Sequence, residues 1–127
     1  MSWNTIKRRK SDIDFSNYIR EKAGWKCEYC GRVCKIGDLK IAQLEASHYF
    51  SRSHENTRFD ICNVYSMCSS CHKRLGGHRS DEKGEYDVWV KERLKDGYTL
   101  LKIRSSLYKK RDDVLDLMYV RELVKEL

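Results

Sequence analysis

The apolar residues of this chain change their period more than once. From Ser11 they recur as Phe15, Tyr18, Ile19 and Ala23, at i, i+3, i+4 and i+8. That spacing predicts an amphipathic helix with Arg20 and Lys22 toward water and a stop near Gly24. Ser11 with Asp14 three residues on gives the start signal, and Asp12 and Asp14 suit the positive end of the helix dipole. Helical spacing assigns these aromatics to a core rather than to a base-stacking surface. Between Leu39 and Phe50 the period falls to two, with Leu44, Ala46 and His48 on one face and Gln43, Glu45 and Ser47 on the other. A polar loop, Ser51 to Thr57, and a second apolar run, Phe59 to Val64, then predict a hairpin with a long connection. Ser66, Ser69 and Ser70 offer caps for a short helix that Gly76-Gly77 closes.

Helical spacing returns at Tyr86, Trp89, Val90 and Leu94, with Gly97 as the stop. It resumes from Thr99 to Lys110, through Leu100, Leu101, Ile103 and Leu107. A last helix is expected after Asp112-Asp113, carrying Val114, Leu117, Met118, Val120, Leu123, Val124 and Leu127. No repeat, low-complexity tract or proline-rich linker divides the chain. The expectation is a basic flexible arm over residues 1–10 and one α+β domain over 11–127. Within that domain a core lies at about 25–80 and a helical part at 83–127.

Composition adds a constraint. A chain of 127 residues with 40% hydrophobic residues builds a thin core and calls for a staple. Six cysteines are available, and no signal peptide, long apolar run or lipidation motif is seen, so a reduced, cytoplasmic chain is expected. In that setting Cys27-Glu-Tyr-Cys30-Gly31 and Cys68-Ser-Ser-Cys71 read as metal ligands rather than disulfides. Four thiolates make a closed tetrahedral site, which assigns a structural role to a Zn²⁺ held by Cys27, Cys30, Cys68 and Cys71. The 37 residues between the pairs must themselves be folded and clamped at both ends. Cys34 and Cys62 are left over and read as small buried residues.

Charge narrows the partner. The net charge is +7, and residues 1–79 carry all of the excess, with 15 Lys and Arg against 8 Asp and Glu. A basic field favours a polyanion such as nucleic acid, because neutralising phosphates releases condensed counterions. Lys7, Arg8, Arg9 and Lys10 read as phosphate contacts on a tail, against the plainer reading of a frayed, soluble terminus. Arg52 and Arg58 flank the hairpin loop; Arg52 is assigned to phosphate, while Arg58 stays open between phosphate and a pairing with Asp60. His54 reads as a solvated loop residue.

The remaining chemistry sits in His48, Asn63 and His72, separated by 14 and then 8 residues, with His72 directly after the second Cys-x2-Cys. An imidazole at His48, among small and apolar neighbours, would be neutral and suited to taking a proton from water. The amide of Asn63 suits a clamp across the hairpin, and the imidazole of His72 suits a metal held against phosphate. This spacing resembles the HNH nucleases, whose strand, strand, helix unit is the ββα-metal arrangement. Many such enzymes carry an acidic metal ligand before the base, where this chain has Ser47. The catalytic ion, a hard Mg²⁺ or Mn²⁺, is therefore expected on His72 with His78 or Asp60 and water.

The string ASHYFSRSHENTRFDICNVYSMCSSC, with the Gly-Gly step and EYDVWVKERLKDG, resembles the phage NinG (Rap) recombination proteins. That resemblance implies a metal-dependent, structure-specific endonuclease acting on branched intermediates such as Holliday junctions or D-loops. By position, His48 would be the general base, Asn63 the hairpin-fixing residue, His72 a metal ligand and the four cysteines the zinc site. Surplus apolar residues in the C-terminal helices fit a homodimer, which suits a two-fold branched DNA. Two other readings stay open: a general nicking or packaging-associated HNH endonuclease, and a zinc-stapled DNA-binding module without catalysis.

Overall fold

A computed structural model describes residues 7–34, 44–76 and 83–127. Helix α1 spans Lys10–Lys22, strand β1 Leu44–His48, strand β2 Val64–Cys68 and helix α2 Ser69–Gly76. Helices α3 (Lys83–Leu94), α4 (Gly97–Ser106) and α5 (Asp113–Lys125) follow. The two strands pair antiparallel, with Leu44 opposite Cys68 and His48 opposite Val64. This is the expected α+β class.

The hairpin is a middle layer with helices on both faces. On one side Tyr65, Met67 and Leu75 pack with Tyr86 and Val90 of α3 around the cysteines. On the other, Phe15, Tyr18 and Ile19 of α1 meet Phe59, Val64 and Val120 of α5. The described residues thus build two cores rather than one thin one. Every residue of β2 is buried as a result, since a strand covered on both faces cannot alternate apolar with polar.

Several boundaries differ from the sequence reading, each for a local reason. The N-cap of α1 lies two residues upstream of Ser11, at Arg9, whose backbone N–H donates to Asp12 at 2.7 Å. Ser11 is instead buried. The return strand begins at Val64, not Phe59, because Asp60 accepts the backbone N–H of Cys62 and turns the chain through 61–63. Ser66 lies within β2 and caps nothing. Gly97 does not stop α3 but opens α4; the reversal is made at Lys95, whose φ is +52°. Helix α4 ends at Ser106, short of the expected Lys110. For α5 the reading holds, with the Asp112 side chain accepting from Leu115 N–H at 3.0 Å. Residues 39–43 of the expected first strand lie outside the described residues, as do His78, Gly77 and residues 1–6 of the arm.

Candidate metal and hydrolytic site

The cysteines converge as their spacing requires. Cys27, Cys30, Cys68 and Cys71 place their sulfurs within 4.8 Å of one another. Cys30 Sγ lies 3.8 Å from Cys68 Sγ, which matches the edge, about 3.8 Å, of a tetrahedron with Zn–S bonds of about 2.3 Å. The knuckle is built by backbone: Cys27 N–H donates to Arg32 O at 2.8 Å, and Gly31 takes φ +80°, a conformation that favours glycine. Burial opposes ionisation of the Cys27 thiol, but backbone N–H donors, among them Cys30, outweigh it and bring its pKa down to about 7. The donor set fits a thiophilic ion in a closed structural site. Cys34 is fully buried, as expected, and Cys62 partly so; neither belongs to the cluster.

His48 closes β1 and faces a cleft between α1, β1 and α2. Its Nε2 is 2.9 Å from the backbone carbonyl of Arg58. A carbonyl can only accept, so the ring proton sits on Nε2 and Nδ1 carries the lone pair. Burial lowers the imidazole pKa to about 4, with the Arg52 guanidinium acting in the same direction. The ring is therefore neutral at ordinary pH and basic at one defined atom.

Asn63 makes the clamp, although from the turn before β2 rather than from the strand. Its Oδ1 accepts from Phe50 N–H at 2.8 Å, and its Nδ2 donates to Phe50 O at 2.9 Å and Thr57 O at 3.0 Å. It thus joins the two ends of the loop that leaves His48.

His72 stands in the first turn of α2, one residue after the cluster cysteine. Its Nδ1 lies 2.7 Å from Glu45 Oε1 of β1, and it lines the same cleft as His48 and Arg52. A Cβ on Gly76 would come within 3.3 Å of the His72 ring, so glycine keeps that edge open. Ser47 is fully buried beneath this edge: its Oγ is 2.8 Å from Tyr86 Oη of α3 and would lie 3.9 Å from the same added Cβ.

Other assignments are corrected. Arg58 is 1% exposed and offers nothing to phosphate. Its Nε donates to Asp12 Oδ1 at 2.9 Å, Nη2 donates to Asp12 Oδ2 and to the Lys7 carbonyl, and Nη1 donates to the Arg52 carbonyl. The partner is thus Asp12, not Asp60. Asp60 accepts from Arg104 Nε at 2.7 Å and lines a separate cleft with α4 and α5, so it is not brought to His72. Arg9 is not part of a free arm; it pairs with Glu55 and lies 3.6 Å from Asp116. Lys10 begins α1 and pairs with Asp14 at 2.8 Å. Lys7 is exposed, and Arg8 and Arg52 line the His48 cleft. His54, exposed as expected, has Nδ1 3.2 Å from Ser105 O.

The sequence reading missed Arg20 and Trp25 as walls of this cleft. It also missed Glu45 as the neighbour of His72, although the alternation of β1 already placed Glu45 on the face of Ser47.

An antiparallel hairpin, a short helix and a four-cysteine cluster make a ββα core compatible with a zinc staple. Residues 27–77, from the first cluster cysteine to just beyond α2, match the family model described as HNH endonuclease. No curated protein and no solved structure matches the chain. Among the described residues, no helix is long and apolar enough to cross a membrane.

Proposed function

We propose that this chain is a metal-dependent DNA endonuclease of HNH type that hydrolyses phosphodiesters with His48 as general base. The observation that carries the reading is the His48 ring, held neutral by burial with Nε2–H committed to Arg58 O, in one cleft with His72. The Nδ1 atom takes a proton from water, the water oxygen bonds to phosphorus, and the P–O3′ bond breaks. Arg52 steadies the phosphate, and Asn63 keeps the loop from shifting His48. His72 would hold a hard divalent ion, Mg²⁺ or Mn²⁺, whose charge offsets that gathering on the phosphate and the departing oxygen. By resemblance to HNH enzymes the products carry 5′ phosphate and 3′ hydroxyl ends.

The finer part of the proposal is a preference for branched recombination intermediates, which rests on the NinG (Rap) resemblance. A homodimer belongs to the same reading. It is supported by Leu100, Ile103 and Leu107 on or beside α4 and Val114, Leu115 and Met118 on α5, all at least half exposed. A second reading, a DNA-binding module that does not cut, is favoured by the burial of Ser47 where an acidic ligand would stand.

The deciding assay compares linear duplex and four-way junction DNA in Mg²⁺, Mn²⁺ and EDTA. Junction cleavage that requires metal and falls about 10²-fold or more in His48→Ala, with DNA affinity of the zinc-loaded chain without added Mg²⁺ or Mn²⁺ unchanged, is the expected result. Equal cutting of both substrates favours a general endonuclease, and tight binding without cutting in any metal favours the binding module.

A further inference from the structure

We infer that Glu45 is the acidic ligand of the catalytic ion, shifted two residues back along β1 from the position that Ser47 occupies. This rests on the nuclease reading above. Glu45 and Ser47 project from the same face of β1, because side chains two apart on a strand share a face. Ser47 has turned inward: it is fully buried and its hydroxyl is engaged by Tyr86.

Among the described residues, the other carboxylates near the site are committed. Asp12 lines the cleft, but both its oxygens hold Arg58 and one also accepts Arg9 N–H. Asp60 is paired to Arg104 in another cleft. Glu45 remains. Its side chain is 45% exposed, it faces the cleft that holds His48 and Arg52, and its Oε1 is 2.7 Å from a ring nitrogen of His72. One carboxylate oxygen and one imidazole nitrogen this close are a donor pair that would hold a hard divalent ion beside a phosphate. Holding the ion at Nδ1 would require the neutral ring to carry its proton on Nε2, on the edge beside Gly76.

The test is binding of Mn²⁺ to the zinc-loaded full chain, followed by the electron paramagnetic resonance signal of free aquo-Mn²⁺. It compares wild type with Glu45→Gln, in the presence of a cleavage-resistant phosphorothioate duplex whose integrity is checked after each titration. Glutamine is isosteric and its Oε1 still accepts from His72 Nδ1–H, so a carboxylate that merely orients the ring is largely replaced by it. Zinc content and circular dichroism verify that the variant is folded. A Kd for Mn²⁺ raised about tenfold or more, with DNA affinity of the zinc-loaded chain in the absence of added Mn²⁺ not reduced, is expected. A Kd within about threefold of wild type overturns the assignment. If the wild type cuts DNA and Glu45→Gln binds Mn²⁺ normally, only this inference fails; if the wild type cuts nothing, the nuclease reading itself has failed.

Discussion

Asp12 and His48 share no hydrogen bond, yet the imidazole depends on the carboxylate. Asp12 fixes the Arg58 guanidinium, and the carbonyl of Arg58 holds His48 Nε2. With Arg58 1% exposed, removing Asp12 leaves a buried cation with only the more distant Glu55, 3.8 Å away, as counter-charge. Asp12→Asn is expected to destabilise the protein by about 3 kcal/mol in urea unfolding; a loss below about 1 kcal/mol would show that the pair is screened. The His48 pKa gives a second prediction. An unfolded histidine binds its proton near pH 6.5, whereas folded His48 does so near 4. The unfolded chain therefore binds more protons between these values, and stability drops as pH falls through that window. The base stays available over the same range. The acidic limb of kcat/KM should accordingly lie well below pH 6.5, and a limb at 6.5 or above in a pH–rate profile would remove His48 from the role of buried base.

At the scale of elements, the staple and the caps divide the work. Helix α2 begins immediately after a cluster cysteine and carries His72, so the thiolate cluster sets where that imidazole stands. Cys68→Ser should lose bound metal and the cooperative unfolding transition together, as seen by metal analysis and circular dichroism. The N-cap of α5 is a smaller contribution: Asp112→Ala removes one acceptor for Leu115 N–H and should cost about 1 kcal/mol. The amphipathic helices and the paired cysteines are legible in the sequence because each depends on local spacing. The start of β2 is not. Phe59 and Ile61 look like strand residues, and only the Asx-type bond from Asp60 shows that the chain turns there. Lys95 in a left-handed conformation is equally hidden, since a neighbouring glycine two residues on offers the more obvious break.

Across the whole molecule, the cleft that holds His48 and His72 is walled by α1, β1 and α2 together. His48, Asn63 and His72 can be named from their order, but the partners that aim them come from 10 to 46 residues away in sequence: Arg58 for His48, Glu45 for His72, Asp12 for Arg58. No periodicity encodes such pairs, which is why spacing alone leaves Arg58 open to phosphate and does not single out Glu45. The exposed apolar side chains of α4 and α5 give the prediction at this scale. Sedimentation should show a dimer that Leu100→Glu with Met118→Glu converts to monomer without loss of helicity, and a monomeric wild type would remove the symmetric reading. The packing of Val120 against the α1 aromatics has a consequence for biosynthesis. A ribosome makes the cysteine cluster and the hairpin well before it makes α5. A growing chain halted between them would own its zinc layer but lack the cover over Phe15 and Val64. The apolar face of α1, the helix that also walls the His48 cleft, is thus covered late, by a helix far downstream.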